Sequence, residues 1–267
     1  MLAANQIEAA VERLDTAERT RVQTGLISLA HPEATIEDAY AVQTAWVKRK
    51  LAGGRRIIGW KIGLTSRAMQ SALNIDTPDS GALFDDMAFD DGVTIPPERF
   101  IQPRIEAEIA FVMKSALHGP DVTIADVLKA TDYVTPALEI LDTRIHRVDK
   151  TSGKARTIVD TISDNAANAG IVTGGTALRP DGVDLRWMGA IVSRNAIVEE
   201  TGLGAGVLNH PARGIVWLAN RLAAYGGAIE AGQIVLAGSF IRPIEVRHGD
   251  TIVADYGPYG TVSCHFA

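Results

Sequence analysis

Cysteine is almost missing from this chain of 267 residues, because Cys264 is the single one. One thiol excludes an intrachain disulfide framework and any cysteine-rich metal site, and the alternating sequence around Cys264 predicts a packed strand thiol. No apolar run approaches the roughly 20 residues that a membrane-spanning helix needs. Residues 1–21 lack the apolar core of an export signal. We therefore expect a cytoplasmic protein without a membrane segment.

Long blocks of like charge are also missing. The 26 lysine and arginine residues are scattered among 32 aspartate and glutamate residues, which gives a net charge of −6. A general nucleic-acid binder should instead show a basic stripe, so we expect no nucleic-acid partner. Hydrophobic residues make up 46% of the chain. This content suits one large globular domain with a small appendage, because cores much beyond about 250–300 residues tend to split.

The first part of the chain carries helix signals. Apolar residues recur at helical spacing among charged ones over residues 7–17. Thr35 followed by Asp38 has the pattern of a capping box, and it predicts a helix that ends at Gly53-Gly54. We therefore predict an N-terminal helical region over residues 1–55.

Strand signals dominate from residue 56 onward. Strands or hairpins are predicted over residues 56–62, 104–113, 134–141, 188–198, 233–237, 251–255 and 260–266. Helices are predicted over residues 123–130 and from His210-Pro211 to Gly226-Gly227. Because helices do not alternate regularly with these strands, a doubly wound parallel sheet is disfavoured. The sequence predicts an α+β fold with a mixed, mostly β domain over residues 56–267.

Two glutamates share one face of the longest predicted strand. Glu106 and Glu108 are two residues apart in the alternating sequence 104–113, so they project side by side while the apolar residues between them face the core. Adjacent carboxylates repel each other unless a positive charge lies between them. A bound cation would supply that charge. A solvated strand face paired with lysine or arginine is the alternative.

A third carboxylate, Glu139, lies inside the apolar strand sequence of residues 137–141. An unpaired charge is costly in such surroundings, which favours a partner shared with Glu106 and Glu108. Carboxylate oxygens suit a hard cation such as Mg²⁺ or Mn²⁺ rather than zinc or copper. The three glutamates are therefore candidate metal ligands.

Lys61 lies in the predicted strand Gly59-Trp-Lys-Ile-Gly63, which is followed by a turn with two hydroxyl residues. A lysine in this position can bind a substrate carboxylate or stabilise an enolate oxygen. We therefore treat Lys61 as a candidate catalytic and substrate-binding residue. The alternative is a side chain that extends to the surface.

Two further polar segments contain candidate residues. Ser163 and Asn165 stand in a run of small and amide-bearing residues, where they either bind a ligand or close an Asx-turn. Asp79, Asp85 and Asp86 stand in a second segment that can supply a proton carrier. Simple loop residues are the alternative for all three aspartates.

Taken together, these segments resemble the hydratase and decarboxylase branch of the fumarylacetoacetase superfamily. The matching segments are Gly59–Ser66, Pro103–Glu108, Asp132–Asp142, Ser163–Gly170 and Gly206–Pro211. They stand in the same order and cover essentially the whole chain. A finer match over His146–Gly170 indicates a hydratase of a seven-carbon dicarboxylate. Trp60 departs from the histidine that related hydratases carry beside the active-site lysine.

The resemblance implies a mixed β-sandwich roll of the fumarylacetoacetase C-terminal type, preceded by helices and assembled into homo-oligomers. The metal ligands of the family fall on Glu106, Glu108 and Glu139, and its active-site lysine falls on Lys61. The implied activity is the Mg²⁺-dependent hydration of 2-oxo-hept-4-ene-1,7-dioate, or a similar 2-hydroxydienoate, in the degradation of 4-hydroxyphenylacetate. Lys61 and Asp79 are then candidates for the proton transfers, which need a positioned acid or base.

Three alternatives remain open on the sequence: a decarboxylase of the 4-oxalocrotonate type, a C–C hydrolase of acylpyruvates, and a metal and metabolite binder without catalysis. A decarboxylase expels carbon dioxide from the remote carboxylate, so it does best where no positive charge holds that group. A hydratase of a dicarboxylate should instead anchor it. Arg144, Lys154 and Arg156 are candidates for this anchor, and a solvated basic loop is the alternative.

Overall fold

A computed structural model describes residues 1–67, 70–71, 75 and 77–267 of the chain. The described helices are α1 (Ala4–Thr20), α2 (Ile27–Ala30), α3 (Ile36–Ala52), α4 (Ile124–Ala130), α5 (Ile158–Ser163) and α6 (Ala212–Ala223). The described strands are β1 (Ile57–Gly63), β2 (Asp79–Phe84), β3 (Ala88–Asp90), β4 (Val93–Ile95), β5 (Arg104–Met113), β6 (Thr131–Leu141), β7 (Asn168–Thr173), β8 (Gly189–Arg194), β9 (Ile197–Leu203), β10 (Ile234–Leu236), β11 (Ile244–Glu245), β12 (Thr251–Asp255) and β13 (Thr261–Phe266). The predicted α+β class is confirmed.

The strands form two mixed sheets. Within the described residues, the larger sheet has the order β2-β1-β10-β5-β6-β7-β3, and β11 pairs with the beginning of β5. The smaller sheet has the order β4-β13-β12-β8-β9. The pairs β1–β10, β3–β7 and β4–β13 are parallel, and the other pairs are antiparallel. The long antiparallel pair of β5 and β6 lies near the middle of the larger sheet.

The two faces of β5 lie in different environments because side chains alternate along a strand. Ile105, Ala107 and Ile109 belong to the hydrophobic core between the two sheets. Ala110 belongs to a second core on the opposite face of the larger sheet. Glu106 and Glu108 share the parity of Ala110, so they lie on the face that is turned away from the smaller sheet.

The N-terminal helices cover that second face. Leu14 of α1 and Trp46 of α3 are almost completely buried, and they belong to the same core as Phe84 of β2 and Ala137 of β6. The predicted helix after Thr35 is confirmed, since the Thr35 hydroxyl accepts a hydrogen bond from the Asp38 amide. No helix among the described residues is long and apolar enough to cross a bilayer.

Two local features differ from what the sequence indicates. The alternative of a simple loop residue is wrong for Asp79, because residues 79–84 form β2, a strand buried along its whole length. Residues 158–163, for which no helix is predicted, form helix α5. The division into a helical region over 1–55 and a catalytic domain over 56–267 stays a prediction.

Candidate metal centre

The three candidate metal ligands meet on the helix-covered face of β5 and β6. Glu106 pairs directly with Glu139 across these strands, and Glu108 pairs with Ala137 one step further along. One carboxylate oxygen of each glutamate lies within 4.8 Å of the other two. Glu108 and Glu139 are fully buried, and Glu106 is half-buried. The antiparallel register therefore converts two distant sequence motifs into one cluster of carboxylates.

Burial and mutual repulsion both oppose ionisation of this cluster. Burial, and next the nearby charge of Glu139, raises the pKa of Glu106 to about 8. The same two causes raise the pKa of Glu108 well above its ordinary range. Burial also raises the pKa of Glu139. A cation among the three groups would relieve both penalties.

The hydrogen bonding of the cluster fits a metal ion. Oε1 of Glu108 and Oε2 of Glu139 are buried and have no hydrogen-bond partner within the described part of the chain, while Oε1 of Glu139 faces an ammonium group at 3.4 Å. Buried polar atoms normally have partners, so each exception needs an explanation. A hard divalent cation such as Mg²⁺ or Mn²⁺ takes oxygen ligands of this kind. The donor set therefore fits such an ion.

Glu108 is held in place from two sides. The backbone amide of Gly238 donates a hydrogen bond of 2.8 Å to its Oε2 atom. The Tyr256 hydroxyl lies 2.8 Å from the carbonyl oxygen of Glu108 and 2.7 Å from that of Ala137. One hydroxyl thus links the two strands that carry the glutamates. Sequence reasoning missed both contacts, because neither Gly238 nor Tyr256 belongs to a recognisable motif.

Gly238 must be a glycine in this geometry. Its φ of +116° is one that other residues rarely adopt. A Cβ atom at this position would lie 2.2 Å from Oγ1 of Thr65, which is too close for any side chain. The turn after β10 therefore brings the Gly238 amide close to Glu108, and only a residue without a side chain fits there.

Lys61 lies in the same site and is buried, so the alternative of a surface lysine is wrong. Its Nζ atom is 3.4 Å from Oε1 of Glu139. Burial by itself would lower the pKa of Lys61. The surrounding carboxylates, of which Glu139 has the largest effect, outweigh burial and raise that pKa above its ordinary value. The ammonium group therefore offsets part of the negative charge of the cluster.

Asp79 stands beside Lys61, because β2 pairs with β1 and places Asp79 opposite Gly63. A Cβ atom at Gly63 would lie 2.2 Å from Oδ1 of Asp79 and 3.0 Å from Nζ of Lys61. The Asp79 carboxylate and the Lys61 ammonium group therefore lie next to the same small space, which the glycine at position 63 leaves open. Burial raises the pKa of Asp79, although the charge of Lys61 opposes this shift.

The other two aspartates of this segment lie outside the site. Asp85 and Asp86 form ion pairs with Arg56 and Arg55 near the surface. They have no contact with the carboxylate cluster that would favour a role in proton transfer. Asp79 is therefore the aspartate that the fold brings to the site.

The two candidate substrate-binding residues after α5 differ in their bonding. Ser163 is fully buried, and its Oγ atom has no hydrogen-bond partner among the described residues. The Asn165 side chain instead makes two bonds to the backbone of Ala82, at 2.8 Å from the amide and 3.0 Å from the carbonyl. Asn165 therefore fastens β2, which carries Asp79, whereas Ser163 has a free hydroxyl. Substrate binding by either residue stays a prediction.

Comparison with known proteins identifies the family. No protein-family model matches the chain. The chain is 57% identical over 255 residues to the 2-oxo-hept-4-ene-1,7-dioate hydratase of Escherichia coli, with 96% of each sequence covered. A structure of 4-oxalocrotonate decarboxylase from Pseudomonas putida G7, complexed with magnesium and adipate, has 36% identity and a TM-score of 0.93, and it covers 100% of this chain and 99% of that one.

A more distant structure shows the same fold. The fumarylpyruvate hydrolase of Pseudomonas aeruginosa, in complex with Mn²⁺ and pyruvate, has a TM-score of 0.57 at 12% identity, with 78% of this chain and 88% of that one covered. The chain belongs to the fumarylacetoacetase superfamily, in its branch of hydratases and decarboxylases. It is an enzyme of the hydro-lyase class. The resemblance that the sequence motifs indicate is confirmed.

Proposed function

We propose that the protein is a metal-dependent hydratase that converts 2-oxo-hept-4-ene-1,7-dioate into 4-hydroxy-2-oxoheptanedioate. One observation carries this proposal. A buried site combines three clustered carboxylates with Lys61 and Asp79, in a chain that is 57% identical to a hydratase of that substrate along nearly its whole length. The proposed pathway is the degradation of 4-hydroxyphenylacetate.

We propose Glu106, Glu108 and Glu139 as the ligands of Mg²⁺, with Mn²⁺ as the alternative ion. The all-oxygen donor set supports this choice, and so does the magnesium in the related decarboxylase. A divalent cation supplies Lewis-acid stabilisation of charge on the ketone oxygen of a 2-oxo acid. Three carboxylates exceed the charge of one divalent ion by one, and the ammonium group of Lys61 offsets this excess.

The protein's own residues then divide the remaining work. Lys61 binds the carboxylate beside the ketone, because it is the cation next to the glutamate cluster. Asp79 carries the proton whose transfer shifts the double bond into conjugation with the ketone. Water then adds at the remote alkene carbon and gives the 4-hydroxy product. Ser163 donates its hydroxyl to the substrate, and Asn165 offers the second N–H of its amide, because the first donates to the Ala82 carbonyl.

The proposal is tested by following the absorbance of a 2-hydroxydienoate with and without Mg²⁺. We expect loss of the chromophore only with the metal. In ¹⁸O water, the label should appear at C4 of 4-hydroxy-2-oxoheptanedioate, which NMR and mass spectrometry identify. A protein that binds both Mg²⁺ and the substrate but leaves the absorbance unchanged would overturn the proposal.

Decarboxylation is the second candidate activity. It is supported by the likeness to 4-oxalocrotonate decarboxylase over the whole chain. The higher identity to a hydratase favours hydration. Release of carbon dioxide from the substrate, without a C4 hydroxyl in the product, would establish the decarboxylase instead.

We also propose a homo-oligomer of at least two subunits in the cytoplasm. Exposed apolar residues in and beside the smaller sheet support assembly, since Trp187, Ile191 and Val198 are 71%, 50% and 58% exposed and exposed apolar surface is typical of protein interfaces. Light scattering coupled to gel filtration should give a mass well above 28.5 kDa. A species of only that mass at micromolar concentration would contradict assembly. Cell fractionation should find the protein in the cytoplasmic fraction.

A further inference from the structure

A group of arginines lies beyond one end of the glutamate cluster. Arg104 is the first residue of β5, and it has the same parity as Glu106, so both side chains lie on one face of the strand. Two residues along a strand advance by about 6.6 Å, which is comparable with the length of a seven-carbon acid. β6 runs antiparallel, and it ends at Leu141 opposite Arg104. The chain segments before β5 and after β6 therefore meet here.

A hairpin after β6 adds two more arginines at this end of the sheet. The amide of Arg156 donates a 2.9 Å hydrogen bond to the carbonyl of Arg147, which places the two residues opposite each other. Nη2 of Arg147 lies 3.2 Å from the carbonyl oxygen of Gln102, just before β5. Nη1 of Arg156 lies 3.0 Å from Oγ1 of Thr143, just after β6. Both guanidinium groups are thus fastened beside the end of the β5–β6 pair.

The ion pairing of these three arginines is incomplete among the described residues. Arg104 pairs with Glu245, but neither Arg147 nor Arg156 forms an ion pair with any residue that the structure describes. Both are half-buried. Burial, and next the charges of Arg156 and Arg104, lowers the pKa of Arg147 to about 10, although Asp142 and Glu245 oppose this shift. Like charges that are partly removed from water indicate an anionic ligand.

Neither of the other two anchor candidates named from the sequence is available. Arg144 is buried and forms an ion pair with Asp164, which also accepts a hydrogen bond from the Arg144 backbone amide. Lys154 is exposed at the far end of the hairpin. Of the three anchor candidates named from the sequence, Arg156 therefore remains. The fold brings Arg147 and Arg104 close to it.

We propose that Arg147 and Arg156, together with Arg104, form the binding site for the remote carboxylate of a dicarboxylate substrate. This inference rests on the proposed function, because it assumes that the near carboxylate and the ketone lie at the glutamate cluster. Guanidinium groups bind carboxylates through paired, charge-assisted hydrogen bonds. A surface cavity of about 650 Å³, lined in part by Arg104 and Arg147, gives the outer side of this group access to solvent.

The test compares two substrates that differ only at the remote end. One is 2-oxo-hept-4-ene-1,7-dioate, and the other is 2-oxohept-4-enoate, which has a methyl group in place of the remote carboxylate. Arg147→Met and Arg156→Met should each lower kcat/KM for the dicarboxylate by about 10- to 100-fold, the range for a lost charge-assisted hydrogen bond. The value for the monocarboxylate should stay unchanged. Arg156→Lys should recover part of the loss, because it keeps the charge.

Arg179→Met is the matched control, since its side chain is 81% exposed and forms an ion pair with the nearby Asp181. This variant should leave kcat/KM unchanged for both substrates. An equal loss on both substrates in the Arg147 and Arg156 variants would show a merely structural role and overturn the inference. Unchanged kinetics on both substrates would overturn it as well.

A binding measurement separates this inference from the proposed function. Calorimetry with the Mg²⁺-loaded protein compares adipate with hexanoate, which differ only in the second carboxylate. The wild type should prefer adipate, and the two Met variants should lose that preference. If the wild type hydrates neither substrate, the proposed function fails, and the adipate preference still decides whether the arginines bind a remote carboxylate. Equal affinity of the wild type for both acids would overturn the inference.

Discussion

Glu106 and Glu139 lie directly opposite each other in the antiparallel register of β5 and β6. Charged residues of like sign in this arrangement normally destabilise a sheet. The pair is retained inside a buried site that also contains Glu108, so its cost must be offset by a ligand or by neighbouring cations. This relationship leads to the first prediction.

Replacement of Glu106 or Glu139 by glutamine should remove most activity without loss of the fold. The two side chains are nearly isosteric, whereas the lost ligand charge should lower turnover by about 100-fold or more, because Lewis-acid stabilisation is worth several kcal/mol. Mg²⁺ affinity, measured by calorimetry, should fall as well. Glu230→Gln, at an exposed position, is the control. Full Mg²⁺-dependent turnover in both variants would refute the assignment of the ligands.

Lys61→Met should separate metal binding from turnover. The ammonium group lies 3.4 Å from Oε1 of Glu139, where it competes with a metal ion for negative charge. Its removal should leave Mg²⁺ affinity unchanged or higher, because one repelling charge is lost. Turnover should fall by about 100-fold or more, the scale of a lost proton-transfer or charge-stabilising group. Loss of Mg²⁺ binding in this variant would contradict the predicted role, and so would full turnover with Mg²⁺ bound.

Tyr256→Phe should destabilise the protein through the two strands that carry the glutamates. The variant removes the hydroxyl that lies between the carbonyl oxygens of Glu108 and Ala137. Leaving buried polar groups unpaired costs about 1–3 kcal/mol, and the midpoint of thermal unfolding should fall by several degrees. Tyr225→Phe is the control, because Tyr225 is 67% exposed. Equal midpoints for the two variants would contradict the structural role of Tyr256.

The thiol of Cys264 should be unreactive in the native protein. The residue is 1% exposed, and burial raises the pKa of its thiol to about 12. Thiolate is the reactive form, and a higher pKa means that the native thiol stays protonated through pH 6–9. A disulfide reagent at pH 8 should therefore modify one thiol per chain only after unfolding in denaturant. Rapid reaction of the folded protein would contradict this prediction.

The sequence predicts the parts of the site that depend on local pattern. The alternation in β5 correctly places Glu106 and Glu108 on one face, and the apolar surroundings of Glu139 correctly indicate a buried carboxylate. Considered alone, the sequence around Lys61 also fits a surface lysine, and the sequence around Asp79 also fits a loop. Their burial results from the pairing of β1 with β2 and from the cover of α1 and α3, which no local pattern contains.

Other parts of the site depend on contacts between distant segments. Gly238 and Tyr256 reach Glu108 across sequence separations of 130 and 148 residues. Asp149 and Gly153 mark a turn between Arg147 and Arg156, but they do not show that the two arginines lie beside the end of β5. Helix α5 has only six residues, which is too short for a hydrophobic period to identify it. Physical contacts of this kind follow from the tertiary fold and not from the spacing of residues.

The link from Tyr256 to the carbonyl of Glu108 also constrains when the site can form during synthesis. The ribosome synthesises β5 and β6 well before it adds Gly238, which follows β10, and Tyr256, which follows β12. Until then Glu108 lacks both the Gly238 amide and the hydroxyl that joins its strand to β6. If the three glutamates bind a cation, we therefore expect tight binding only after Tyr256 has been added to the chain.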